Sequence, residues 1–243
     1  MRSNIGLFLG VSALSTAAVF ALPAAGAAVG IAIAPWVLAA CKTALGCAIL
    51  LTAIAVRHRF RYDLSLIYTV CTQREWWHEI SSDVVLGAIP LIHHVEQLKV
   101  QGITHVVTLL EEFELERGIA HPATAALWLK SGIKHFHIPV KDFQPVPTEA
   151  IQNVVAFMQE IRRVDRLPKF YIHCKAGRGR SATVVVADRV ANLVKPVVNL
   201  EEQLKKQIGY VKAIRERINL NAEQQAAILA WSQLQKSWPQ KNR

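Results

Sequence analysis

Acidic residues are scarce in this chain and unevenly placed: 18 Asp and Glu stand against 28 Lys and Arg, and none precedes Asp63. The resulting net charge of +10 suits an anionic partner such as a phosphate ester, an acidic lipid surface or a nucleic acid. Aromatic residues are also few, at 7%, and no nucleic-acid-binding module can be traced, so nucleic acid is not expected as a partner. Only four cysteines occur, Cys41, Cys47, Cys71 and Cys174. Their spacing fits neither a zinc site nor a disulfide framework, which excludes a metal-stapled or crosslinked scaffold. Repeats and low-complexity tracts are absent after residue 60. Neither a cofactor nor a metal is expected.

What the chain does have is one long hydrophobic run. Between Ile5 and Val56 the sole charged residue is Lys42. A bilayer core takes about 20 apolar residues per helix, so the run has room for two passes. Pro23 and Pro35 are natural breaks, and spans over 5–25 and 34–56 are expected, within a transmembrane helical hairpin covering residues 1–59. Gly6/Gly10 and Gly26/Gly30 have a spacing that lets helices approach closely. Arg2 precedes the first span, and Arg57, Arg59 and Arg61 follow the second. Basic residues at both ends favour the cytosolic side for both. The expectation is an integral membrane protein whose remaining domain faces the cytosol. Arg2, the first apolar stretch and Ala25–Ala27 also fit a cleaved secretory signal. Export would carry Cys174 into an oxidising space, where a working thiol does not persist.

Residues 60–82 read as a juxtamembrane linker, with Trp76 and Trp77 either packed on the following domain or seated at headgroup level. From 83 to 243 the pattern alternates. Strands are expected at Val84–Leu86, Gly102–Leu110, Ile133–Val140 and Phe170–His173. Helices are expected at His94–Val100, at Pro122–Lys130, and from Thr148 with an apolar stripe of Ile151, Val154, Val155, Met158 and Ile161. Another follows the Cys174 loop, and two more start at Asn199 and Asn221, the latter with Gln224 placed for a capping box. This alternation implies an α/β fold, a mainly parallel central sheet flanked by helices. Ligands in such folds collect beyond the carboxyl ends of the strands.

At one such end stands Phe170-Tyr-Ile-His173-Cys174-Lys175-Ala176-Gly177-Arg178-Gly179-Arg180-Ser181. Five residues between Cys174 and Arg180 are enough to wrap one tetrahedral anion with inward backbone N–H groups. Gly177 and Gly179 can take the positive φ that a tight nest requires. A helix beginning near Ser181 adds its positive end, which favours both a bound dianion and a thiolate at Cys174. Arg180 supplies a planar pair of donors for phosphate oxygens. A buried structural cysteine is the bland alternative, and the surrounding glycines, strand, Ser and helix speak against it.

His-Cys-x5-Arg-Ser resembles the signature loop of the cysteine-dependent phosphatases, the protein tyrosine and dual-specificity superfamily. The resemblance implies a dual-specificity-phosphatase-like domain over 83–243. It also singles out Asp142, in a Pro-bounded loop just past a strand end, as the general acid; a loop Asp is otherwise an ordinary turn residue. Val84–Pro90, the turn Leu110-Glu111-Glu112-Phe113-Glu114, the Asp142 loop and His173–Thr183 follow one another as in the mitochondrial PTP-like phosphatidylglycerophosphate phosphatases. Tyr68-Thr69 and Trp76-Trp77-His78 resemble the segment that precedes that family's domain. Phe113 stands where that family often has Tyr, so no phenolic contact carries over.

The resemblance implies a phosphatase acting on phosphate monoesters through a phosphocysteine, with a phospholipid such as phosphatidylglycerophosphate as substrate. In the expected mechanism the Cys174 thiolate attacks phosphorus, Arg180 and the loop amides hold the oxygens, Asp142 protonates the leaving alcohol, and Ser181 helps the sulfur depart. His173 is expected to orient the loop. Lys175, Ala176, Gly177, Arg178 and Gly179 form the substrate cradle, its extra cations favouring highly anionic headgroups. Glu111 and Glu112 read either as buttresses for the loop arginines or as a solvated charge run. His135 and His137 share one side of a strand but lack further ligands for a metal. A phosphoinositide or phosphoprotein phosphatase is the nearest alternative. A non-catalytic phosphate-binding adaptor is a third, and the intact Cys174, Arg180, Ser181 and Asp142 speak against it.

Overall fold

The computed structural model describes residues 43–48, 51–52, 64, 75–116, 121–193 and 199–237. The chain divides into two compact units, Met1–Leu64 and Ser65–Arg243. In the first, 43–48 and 51–52 are helical; the remainder of the expected spans 5–25 and 34–56 lies outside the described residues. Among the described residues no helix is long and apolar enough to cross a membrane.

The second unit is built on five strands: β1 (Trp77–Ser81), β2 (Val84–Gly87), β3 (His105–Thr108), β4 (Lys134–His137) and β5 (Phe170–His173). They lie in the order β1-β2-β5-β3-β4. β1 runs antiparallel to β2, and the β2–β5, β3–β5 and β3–β4 pairings are parallel. The mainly parallel α/β sheet read from the alternation is therefore present, with one antiparallel edge. β5 occupies the centre and all four of its residues are buried, as a strand covered on both faces requires.

Helices fill the connections: α1 (His94–Val100), α2 (Glu112–Leu115), α3 (Ala125–Lys130), α4 (Thr148–Val164), α5 (Arg180–Ala191), α6 (Leu200–Ile214) and α7 (Ala222–Ser237). Under one face, Val95 and Leu98 of α1 and Trp128 of α3 pack with Val85, Val106 and Tyr171 of the sheet. Beside the other, the α4 stripe is buried at Ile151, Val154, Val155 and Met158, and Phe157 stacks on Phe136 of β4 with centroids 4.4 Å apart. Arg162 of α4 joins the elements covalently distant from it, donating to Asp83 at 2.7 Å and to both oxygens of Asp188 at 2.6 and 2.9 Å. Such a bidentate fork fixes geometry as well as charge.

Several expectations shift, and the strand expected over Gly102–Leu110 spans only His105–Thr108. The stretch read as a linker, 60–82, contains β1, whose Trp77 meets Tyr171 edge-on at 5.9 Å. Trp-His-Glu-Ile-Ser carries a single β-branched residue, so propensity alone does not mark it; pairing with β2 does. The strand expected over Ile133–Val140 ends at His137, because Pro139 cannot donate to a ladder. The helix expected from Pro122 starts at Ala125, capped by Thr124, whose Oγ1 accepts from Leu127 N at 3.3 Å.

The cap expected at Asn221 is present and reciprocal: Gln224 N donates to Asn221 Oδ1 at 2.8 Å, and Asn221 N to Gln224 Oε1 at 3.2 Å. Asn221→Ala should cost about 1 kcal/mol of stability, read as a lowered denaturant midpoint at unchanged slope.

Candidate active site

The loop 174–179 leaves the carboxyl end of β5 and enters α5 at Arg180. Each peptide carbonyl from 175 to 179 is held by a partner outside the loop's concave side. Ile89 N donates to Lys175 O at 3.1 Å, Asn219 N to Arg178 O at 3.0 Å, and Thr183 N to Gly179 O at 2.8 Å. Arg215, at the end of α6, donates through Nη2 to Ala176 O at 3.1 Å and through Nε to Gly177 O at 3.0 Å. With the carbonyls drawn outward, the alternating peptide geometry turns N–H groups inward, which makes the concavity an anion nest.

Gly177 takes φ +66°, and a Cβ there would collide with the Gly87 carbonyl oxygen. Gly179 departs from the expected positive φ: its φ is −110°. A Cβ there would come within 2.9 Å of Gln224 Nε2, so a larger residue would displace the end of that side chain.

Cys174 is buried beneath this nest. Burial pushes its thiol up, but the Arg180 guanidinium, the Ser181 hydroxyl at 3.3 Å from Sγ, and the N–H groups of Ser181 and Arg178 outweigh it. The net effect holds the thiol below its ordinary value, the condition for a nucleophilic thiolate. His173 does not supply a charge: burial pushes it down to about 3. Its Nδ1 lies 3.3 Å from Cys174 O, so this nitrogen carries the proton and Nε2 accepts from Thr108 Oγ1 at 2.7 Å. Thr108 Oγ1 in turn meets His135 Nε2 at 2.8 Å, so His135 is tied into this hydrogen-bond chain. Its ring stacks on that of His137. Among the described residues no group of His, Cys, Asp and Glu could hold a metal ion.

Arg180 is 2% exposed and faces Glu114, which is 1% exposed, through two bonds: Nη1 to Oε2 at 2.6 Å and Nη2 to Oε1 at 3.1 Å. Nη1 also donates to Val140 O at 2.8 Å. Glu114 thus grips the end of the guanidinium and leaves its side edge to the cradle. On that edge, Arg180 Nε has no hydrogen-bond partner among the described residues. A buried orphan N–H of this kind costs free energy unless a ligand satisfies it. Of the two readings left open for Glu111 and Glu112, the buttress of Arg180 falls instead to Glu114, and Glu112 fits the solvated charge run. Glu112 is 83% exposed and lies 3.7 Å from His137 Nδ1. Glu111 contributes its backbone N–H, donated to Glu114 Oε2 at 3.0 Å. The single turn of α2 turns the Glu114 carboxylate inward and leaves Glu112 exposed, while Glu111 stands at the helix N-cap. Arg215 was also missed; no local pattern marks a residue so far along the chain.

Asp142 reaches the same place from the loop after β4. Its Oδ1 lies 3.1 Å from Arg180 Nη2 and its Oδ2 2.9 Å from Lys175 Nζ. The structure therefore brings Cys174, Arg180, Ser181, Asp142 and Lys175 together around one concavity.

Removing the charge at Glu114 strands a buried guanidinium, so Glu114→Gln should destabilise the fold by about 3 kcal/mol and depress turnover. Glu112→Gln should change neither; thermal denaturation and steady-state rates check both. The thiolate is the form populated above the lowered Cys174 value. Alkylation by iodoacetamide should therefore reach its plateau at lower pH than for a free thiol. Ser181→Ala removes a lowering contact and should move that midpoint upward.

A family model described as "Swiss Army Knife protein, DSP-PTPase phosphatase domain" matches residues 88–226. The chain is 30% identical over 184 residues to Arabidopsis thaliana "Phosphatidylglycerophosphate phosphatase PTPMT1", covering 73% of this chain and 50% of that one. It is 34% identical over 132 residues to Mus musculus "Phosphatidylglycerophosphatase and protein-tyrosine phosphatase 1", covering 51% of this chain and 66% of that one. The chain thus spans half of the first relative's length and just under two thirds of the second's. A crystal structure of PTPMT1 superposes with a TM-score of 0.56 at 25% identity, covering 67% of this chain and 97% of that one. A structure of PTPMT1 in complex with PI(5)P shares the fold, with a TM-score of 0.58 at 24% identity and coverage of 67% and 98%. With the cradle, the thiol and the matched span in agreement, the chain belongs to the DSP-PTPase phosphatase domain family.

Proposed function

We propose that this protein hydrolyses phosphate monoesters on phospholipid headgroups, phosphatidylglycerophosphate foremost, through a phosphocysteine intermediate. The observation that carries the chemistry is the unpartnered Nε of Arg180 beside a lowered thiol in a loop whose carbonyls all turn outward. The lipid substrate rests on the names of the relatives, phosphatidylglycerophosphate phosphatases in plants and rodents. The apolar run 5–56 tethers the protein to a membrane, with the thiol-bearing domain on the cytosolic, reducing side.

In the first step a phosphate dianion occupies the nest, one oxygen taking the Arg180 Nε–H. The Cys174 thiolate forms an S–P bond as the ester P–O bond breaks, and Asp142 gives its proton to the departing alcohol. Charge on the equatorial oxygens is met by amides already in place, so little reorganisation is needed. In the second step water attacks phosphorus, Asp142 takes the water's proton, and the S–P bond breaks. Ser181 Oγ, 3.3 Å from Sγ, donates to the sulfur as it regains charge. Lys175 and Arg178 carry two further positive charges at the loop, which suits headgroups with a second phosphate.

A second reading, phosphatase action on phosphotyrosine or other phosphoproteins, draws on the rodent relative's name, which includes protein-tyrosine phosphatase. A panel of phosphatidylglycerophosphate, phosphoinositides and phosphopeptides separates the two. Highest kcat/KM on phosphopeptides would overturn the lipid reading.

Cys174→Ser should abolish turnover of every substrate, and parent-like activity in that variant would end the covalent mechanism. Asp142→Ala should lower the rate about 10²–10⁴-fold on poor leaving groups and far less on a nitrophenyl phosphate. Equal losses on both would remove Asp142 from the acid role.

A further inference from the structure

Beside the cradle stands a residue that the chemistry above does not use. Phe143 follows Asp142 directly and is 84% exposed. Among the described residues it is the one non-glycine residue with positive φ, at +62°. At the turn, Phe143 N donates to Asp142 Oδ1 at 3.2 Å, a backbone contact available to any residue except proline. Glycine fills such a position without steric cost, and Asn comes next. A bulky aromatic ring is strained there and, being exposed, gains nothing from core burial. Two costs are thus borne at one position, which directs the question to what the ring itself meets.

The ring's surroundings identify what it meets. Lys175 Nζ lies 5.9 Å from the ring centroid, while the same ammonium holds Asp142 Oδ2 at 2.9 Å. Lys141 and Gln144, flanking the loop tip, are exposed. The mouth of the site therefore presents one apolar ring among cations. This composition suits an anionic lipid surface: the ring enters the acyl boundary while ammonium groups remain with the phosphates. A soluble alkyl phosphate offers the cations a partner but the ring none; a phosphotyrosyl side chain can stack on the ring, and the peptide arm of the test reads that.

We infer that Phe143 is the interfacial contact of the active site, a ring that enters the lipid surface beside the scissile headgroup and sets the preference for membrane-embedded over monomeric substrate. This rests on the lipid reading proposed above. The ring has no role in bond breaking, since a phenyl group carries no titratable or nucleophilic atom; the hydrogen bond to Asp142 comes from the Phe143 backbone N–H.

The test compares full-length wild type with Phe143→Ala, Phe143→Gly and Phe143→Trp on three substrates. These are long-chain phosphatidylglycerophosphate in phosphatidylcholine vesicles, a monomeric short-chain form of the same headgroup, and a phosphotyrosyl peptide. Ala and Gly should each lose about tenfold on vesicles, as expected for withdrawing one aromatic ring from an apolar phase, and stay near wild type on the monomeric lipid. Trp should retain vesicle turnover. Gly also removes the left-handed strain, so a parallel loss in Ala and Gly assigns the effect to the ring rather than to the backbone. Equal losses on both lipid forms, no loss on vesicles, or a loss confined to the peptide would each overturn the inference. Wild-type protein inert toward both lipid forms but active on the peptide would instead bring down the lipid substrate, and the inference with it.

Discussion

Backbone carbonyls are the groups an anion must not meet, and the functional half of this molecule is arranged around keeping five of them away from one small concavity. Lys175, Ala176, Gly177, Arg178 and Gly179 each surrender a carbonyl to a partner drawn from elsewhere: the end of β2, the end of α6, the α6–α7 connection and the first turn of α5. None of these elements is near the loop in sequence except α5. The fold as a whole is thus the instrument that turns a short glycine-bearing segment inside out. A flexible loop of the same composition would expose amides and carbonyls alike and bind nothing with preference.

The second constraint is electrostatic. A guanidinium buried among apolar strands needs a counterion of equal burial, and Glu114 supplies it. Paired charges in a low-dielectric interior are held by geometry rather than by net stability, so the fork defines which edge of Arg180 remains available. That edge is shared between the orphaned Nε and the Nη2 that Asp142 also reaches. The open Nε and the Asp142 carboxylate thus lie on neighbouring donors of one cation, which ties Asp142 to the rim of the cradle.

Much of the fold was legible in the amino-acid pattern because the signals are local. The α4 stripe, the Asn221–Gln224 cap and the run of buried residues in β5 each show within a few residues of chain. The loop from Cys174 to Ser181 was legible for the same reason, and Asp142 through its resemblance to a known acid loop. What stayed hidden depends on direction or distance. Three glutamates in four residues look alike in sequence, and only the single turn of α2 separates the buried Glu114 from the exposed Glu112. Arg215 clamps a loop some forty positions earlier, at a contact that no periodicity encodes. β1 was read as a linker because its residues have little strand propensity, and the sheet edge recruits them anyway. Gly179 carries the expectation of a positive φ and has −110° instead, with its Cβ side against the Gln224 amide.

The Arg215 clamp has one more attachment: its Nη1 donates to His78 Nδ1 at 2.9 Å, and His78 Nε2 pairs with Glu75. His78 rides on β1, which has a neighbour on one side only. Outer strands are where a sheet first lets go, well before the whole molecule melts. Each such fraying event releases the imidazole that steadies the guanidinium, and slack passes to two of the cradle's peptide bonds. Warming the protein should therefore silence it while its circular dichroism still looks intact, the catalytic pocket being tethered to an edge strand of the sheet.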